Sequence, residues 1–81
     1  MQKVLPSELK SFASVKAITN QEIIETDEGF ILTFQLTGRP GTWTLFTARQ
    51  NRPRTWLSVD RMLHYLRDEG ILLPTITLTV R

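Results

Sequence analysis

Residues 30–37 read Phe30-Ile31-Leu32-Thr33-Phe34-Gln35-Leu36-Thr37, and this octet decides the fold. Phe30, Leu32, Phe34 and Leu36 alternate with Ile31, Thr33, Gln35 and Thr37. Successive side chains of a strand point to opposite faces, so the first set faces a core and the second a wetter surface. Turn signals bound the octet. Asp27-Glu28-Gly29 precedes it, with Gly29 free to take a positive φ, and Gly38-Arg39-Pro40-Gly41 follows it. Further out, residues 15–26 are rich in β-branched side chains and read as a strand. Their alternation falters at Asn20-Gln21 and Ile23-Ile24, as a bulge would make it do. Residues 42–49 read as a third strand, with Trp43 and Leu45 on one face and Phe46 and Ala48 on the other. After the turn Gln50-Asn51-Arg52-Pro53, residues 54–57 read as a short fourth strand. Turns this short between consecutive strands predict an antiparallel meander.

The buried sheet face needs a cover, and residues 58–71 supply it. Ser58 fits an N-cap and Asp60 puts a negative charge in the first turn. Leu57 and Met62 occupy the two positions of a hydrophobic staple. Val59, Met62, Leu63 and Leu66 follow the i, i+3, i+4, i+7 spacing of an apolar helical stripe. Gly70 ends the helix in the left-handed region, Ile71 reaches back to Leu66 as a Schellman motif requires, and Pro74 prevents the helix resuming. A second, shorter helix is signalled by Pro6-Ser7-Glu8, with Ser7 as N-cap and Leu9, Phe12 and Ala13 on one face. Residues 75–81 alternate Ile76, Leu78 and Val80 with threonines and predict a closing strand. It pairs either within this sheet or with its own copy in a second subunit. The expected fold is one α+β domain over residues 1–81: an antiparallel four- to five-stranded meander sheet with one main helix packed on one face and a short N-terminal helix.

Composition narrows the function classes. The chain has 81 residues, 41% hydrophobic and 22% charged, as in ordinary globular domains, so wholesale disorder is excluded. There is no cysteine, which excludes disulfides, thiolate zinc sites and thiol catalysis. No apolar run exceeds three residues and the N-terminus lacks a signal-like stretch, so the expected location is the cytoplasm. A domain this small buries a modest share of its surface, and homodimerisation is a natural remedy. His64 is the only histidine and lies on the polar side of the main helix, near Asp60 and Asp68. No nucleophile or second base converges on it. The pairs Asp27-Glu28 and Asp68-Glu69 are sequence neighbours that point apart, and ligand spacing for a metal is absent. The expectation is a non-enzymatic protein without metal or cofactor.

Charge is where the sequence speaks of binding. The net charge of +2 is the sum of −2 over residues 1–37, +4 over residues 38–54 and zero over residues 55–81. Every charge in the middle segment is an arginine: Arg39, Arg49, Arg52 and Arg54. Guanidinium groups present a planar fork of donors that suits phosphate and carboxylate. Arg52 and Arg54, two apart around Pro53, align if the backbone is extended, while Arg39 and Arg49 lie at opposite ends of one strand. Trp43 and Trp56 lie on the same or neighbouring strands and serve either as core or, interleaved with arginine, as base-stacking platforms. The candidate binding residues are therefore Arg49, Arg52, Arg54, Arg39 and Trp56. Solvation of a small domain is the bland alternative for the arginines.

Residues 45–71 carry a resemblance. They contain Leu45-Phe-Thr-Ala-Arg49, then Pro53-Arg54-Thr55-Trp56-Leu57-Ser58-Val59-Asp60, then Leu66-Arg67-Asp68-Glu69-Gly70-Ile71. This pattern resembles small ParC-like, partition-associated proteins of bacterial plasmids and integrative elements. Arg49, Arg54, Trp56, Ser58, Asp60 and Gly70 occupy the recurring positions, and Val59 stands where leucine is usual. The resemblance implies a role in maintenance or transfer of mobile DNA. With the arginine-rich segment it leads to the expectation of a non-enzymatic accessory protein that binds DNA, or a DNA-bound partition or transfer protein, through an arginine hairpin. The alternative is a homo-oligomeric protein–protein interaction module that recruits its partner by strand addition and does not bind nucleic acid.

Overall fold

A computed structural model describes residues 2–71 and the backbone of residues 76–79. The elements are β1 (Gln2–Val4), α1 (Pro6–Ser14), β2 (Ile18–Thr26), β3 (Gly29–Leu36), β4 (Arg39–Leu45), α2 (Val59–Asp68) and β5 (Ile76–Thr79). They form an α+β domain with one mixed sheet in the order β1-β4-β3-β2-β5. Only its centre is the expected meander: β2, β3 and β4 pair antiparallel in sequence order. Both outer strands run parallel to their neighbours, β1 to β4 and β5 to β2. Residues 75, 80 and 81 of the expected closing strand, and Pro74, lie outside the described residues.

The mixed topology explains where the helices go. The chain passes from β1 through α1 to β2, crossing β4 and β3, and from β4 through α2 to β5, crossing β3 and β2. Both crossovers connect strands of the same direction and move the same way along the sheet. The right-handed preference of such connections puts both helices on one face. The core agrees: Leu9 from α1 and Met62 and Leu66 from α2 join Leu32, Phe34, Leu36, Ile23 and Leu45 in a single cluster. The even-numbered side chains of the octet thus face the helices, as their alternation predicts. On the other face lie Ile31, Thr33 and Thr44, all buried, with Thr33 opposite Thr44 in the register and the Thr44 hydroxyl donating to the Leu32 carbonyl at 2.7 Å.

Local chemistry shapes each element. In β2, Asn20 and Gln21 together oppose Phe34, forming the expected bulge. Asn20 takes a φ of 50° there, and its amide donates to the Gln35 side chain. Helix α2 starts as predicted, with Ser58 Oγ accepting from the Arg61 amide at 3.2 Å. It also ends as predicted: Gly70 has a φ of 73°, its amide donates to Arg67, and Ile71 donates to the Leu66 carbonyl at 2.8 Å. Helix α1 ends in the same double bond pattern, Lys16 to Ala13 and Ala17 to Phe12, with Lys16 in the left-handed region at a φ of 56°. Three expectations are corrected. The N-cap of α1 is Leu5, because Pro6 fits the first helical position and the Glu8 carboxylate turns back to accept from the Leu5 amide at 2.9 Å. The staple is not formed: Met62 is fully buried while Leu57 is 76% exposed. Finally, β4 stops at Leu45, short of the expected residue 49, and residues 54–57 form no strand.

What replaces that fourth strand positions the candidate site. Beyond Leu45 the chain leaves the sheet, and the first part of β3 loses its partner there. Trp56 fills the gap, its backbone exchanging bonds of 2.8 and 3.0 Å with Phe30 as an isolated antiparallel bridge. The approach is close enough that a Cβ on Gly29 would lie 2.7 Å from the Trp56 carbonyl oxygen, and Gly29 has a φ of 131°. Glycine is required there on both counts.

Candidate nucleic-acid interface

Residues 46–53 form a small closed loop. Phe46 and Pro53 make a bridge, Thr47 N donates to the Arg52 carbonyl at 2.9 Å, and Arg54 N donates to Leu45 at 2.8 Å. Asn51 sits at the return with a φ of 52°, and its side chain accepts from Lys3 Nζ at 2.7 Å. The Phe46 amide donates to Val4, so β1 buttresses the loop from the side. An arginine hairpin therefore exists, as an ordered loop rather than a pair of strands. It holds Arg49 and Arg52, with Arg54 at its exit.

The four arginines of the charged segment do not all converge. Arg39 opens β4 and lies over the Phe12 ring at 5.1 Å. Arg52 donates to the Gln50 side chain at 3.0 Å and borders a cleft that also contains Glu28 and Ile31. Pro53 separates it from Arg54, and because Arg52 stands in a bend the two side chains line different clefts. Arg49 and Arg54 share one cleft. They line it with Pro6, Thr47, Ala48 and Gln50, its volume is about 400 Å3, and among the described residues no acidic side chain borders it. Among the described residues, none of these four arginines is ion-paired with a carboxylate.

Arg54 is the best-fixed member of the group. Its guanidinium lies 4.4 Å from the Tyr65 ring centroid and 5.1 Å from that of Trp56, inside the range of cation–π attraction. The two rings contact each other at 5.6 Å and 52°. Stacking of this kind covers the apolar face of a guanidinium and leaves its in-plane N–H groups for an acceptor. Burial raises the Tyr65 phenol above its ordinary value of 10.0, with Arg54 acting against the rise and Glu69 adding to it.

Both tryptophans belong to the core. Trp56 is 7% exposed and Trp43 packs against the same cluster, and each keeps a buried indole N–H without an acceptor among the described residues. Trp56 thus supports Arg54 from beneath and offers no open ring face for stacking. Arg61 and Tyr65 were not among the candidates read from the sequence. They line a second cleft of about 490 Å3 with Arg54, Trp56, Leu57, His64 and Asp68. Arg61, His64, Tyr65 and Asp68 follow the same i, i+3, i+4, i+7 rule as the apolar stripe and define a second, polar stripe of α2. That spacing is the signal that could have found them.

No family model, curated protein or solved structure matches the chain. Among the described residues no helix is long and apolar enough to cross a membrane, and no three His, Cys, Asp or Glu side chains cluster as metal ligands do.

Proposed function

We propose that this chain is a small, non-enzymatic nucleic-acid-binding domain, an accessory protein of a plasmid or integrative element. It contacts DNA through Arg49 and Arg54. The observation that carries this reading is the cleft that the two arginines share, with, among the described residues, no acid in its lining and no carboxylate partner for either guanidinium. Phosphate contacts supply most non-specific affinity for nucleic acid, and unpaired guanidiniums on an ordered backbone suit them. The resemblance of residues 45–71 to partition-associated proteins supports the same reading. A patch of this size gives modest, salt-sensitive affinity. A mobility-shift titration with DNA at low and moderate salt tests it. Binding at low salt, lost in the double variant Arg49→Ala with Arg54→Lys, is the expected result; no shift at either salt removes the proposal.

A second reading is favoured by one observation: β1 and β5 are the two edges of the sheet. An edge strand offers unpaired backbone groups to a partner, including a second copy of the chain. Light scattering on a size-exclusion column separates the readings. A monomer at all concentrations argues against self-association through these edges.

A further inference from the structure

The two clefts meet at Arg54, which lines both. The second one differs from the first in having a wall of leucine and tyrosine side chains and a polarity along its length. Leu57 and Tyr65 supply the wall, and Leu57 is 76% exposed beside it. Arg61 stands in the first turn of α2 and Asp68 is its last residue. At 1.5 Å per residue they are separated by roughly 10 Å along the helix axis. Arg61 therefore puts positive charge at the N-terminal end, where the helix dipole adds to it, and Arg54 adds a second positive charge over the Tyr65 ring. The Asp68 carboxylate repels an anion from the other end, and His64 lies between them on the same stripe. Neither Arg54 nor Arg61 donates a side-chain hydrogen bond to the described residues, and Arg54 is held in place by its two rings. The cleft holds about 490 Å3 and lies open to solvent.

We infer that this cleft binds a nucleoside phosphomonoester, with Arg54 and Arg61 on the phosphate and Tyr65 and Leu57 against the nucleoside. A monoester carries close to two negative charges at neutral pH, against one for each phosphodiester along a strand. Two unpaired guanidiniums match the monoester. The same chemistry is offered by a free mononucleotide and by the phosphorylated end of a strand. In the second case the inference rests on the proposed function: the strand lies over Arg49 and its terminal phosphate lodges beyond Arg54.

Calorimetric titration of the full chain with four probes tests this. The probes are adenosine 5′-monophosphate, inorganic phosphate, and an eight-nucleotide single strand with and without a 5′-phosphate. The expected result is about tenfold tighter binding of the phosphorylated strand, the effect of one charge-assisted contact. Arg61→Ala erases that difference and leaves binding of the unphosphorylated strand unchanged. Arg61→Lys, which keeps the charge but not the fork, restores part of it. Asp68→Asn strengthens the mononucleotide, and inorganic phosphate binds more weakly than the mononucleotide because it lacks the apolar contact. The thermal midpoint of Arg61→Ala, whose side chain is exposed, stays within a few degrees of the parent and shows that folding is intact. Equal binding of the two strands, with no mononucleotide bound, overturns the inference and leaves the Arg49 cleft as a strand site. Mononucleotide binding that Arg61→Ala abolishes, with neither strand bound, upholds the cleft and overturns the proposed function. A phosphate preference that survives Arg61→Ala, or no binding of any probe, overturns the inference.

Discussion

Arg39 and Arg54 are chemically alike and both lie over an aromatic ring, yet only Arg54 belongs to the proposed site. Arg39 opens β4 and covers Phe12. Arg54 lies beside the last residue of that strand, roughly 20 Å away at 3.3 Å per residue, and covers Tyr65 and Trp56. Around Arg54 the fold brings a second arginine from the loop and a third from α2. Arg39 lines neither of these two clefts. Stacking on a ring orders a guanidinium at either place. Convergence is the basis of the proposed anion site, and here it follows from the docking of residues 53–56 against Phe46, Leu45 and the start of β3.

Undoing that docking should have the largest effect. Gly29→Ala places a methyl group 2.7 Å from the Trp56 carbonyl oxygen at a φ of 131°. It should cost roughly 2–4 kcal/mol, since both the backbone strain and the lost bridge weigh against it. Denaturant unfolding measures the loss. In protein that remains folded, nucleic-acid binding should fall while the surroundings of Arg39 are unchanged. A Gly29→Ala variant as stable as the parent would show that the Trp56 bridge does not hold the Arg54 end in place.

A smaller effect sharpens the other end. Phe12, beneath Arg39, lies in the last turn of α1, whose terminus forces Lys16 into the left-handed region. The corresponding position in α2 is Gly70. Lys16→Gly should therefore stabilise the domain by about 1 kcal/mol, seen as a higher thermal midpoint, without changing nucleic-acid affinity. An unchanged or lower midpoint would mean that Lys16 has contacts that offset its strained backbone.

How legible these features were depended on whether a local rule governs them. The alternation over residues 30–36 and the Ser58 cap and Gly70 terminus of α2 obey local rules and came out as read. Thr37, by contrast, falls in the turn, Ile31 and Thr33 are buried on the face read as wetter, and the Leu57–Met62 staple did not form. The bulge announced itself at Asn20-Gln21 because an extra residue disturbs a period of two. Strand β1 went unread because three residues, Gln2–Val4, are too few to show a period, and its partner β4 is about forty positions away. Residues 54–57 looked like a strand and behave like half of one: Trp56 pairs with β3, but only as a single bridge. The arginines were legible as a cluster in sequence and not as a site in space. Arg52 and Arg54 are two apart but the bend at Arg52 and Pro53 sends them to different clefts. Arg61 and Tyr65 carried a helical signal, overshadowed by the apolar stripe that shares the helix.

The smallest expected effect concerns the Tyr65 phenol under Arg54. Its raised pKa means that the folded state prefers the neutral phenol. That preference supports the fold below the unfolded value of 10.0 and is lost as pH rises through the higher folded value. Tyr65→Phe should remove this part of the alkaline destabilisation, so the stability of parent and variant should diverge above about pH 10. Parallel curves through that range would mean that the phenol ionises as freely in the fold as out of it.

In the proposed site Arg49 and Arg54 form the anion-binding end and Arg39 does not. The most direct measurement is the salt dependence of single-strand DNA affinity, by fluorescence anisotropy, for the parent, Arg49→Ala and Arg39→Ala. Arg39→Ala should superimpose on the parent, while Arg49→Ala should bind more weakly and flatten the plot of log affinity against log salt by about 0.7. Equal effects of the two substitutions, or no affinity in the parent at low salt, would contradict that assignment.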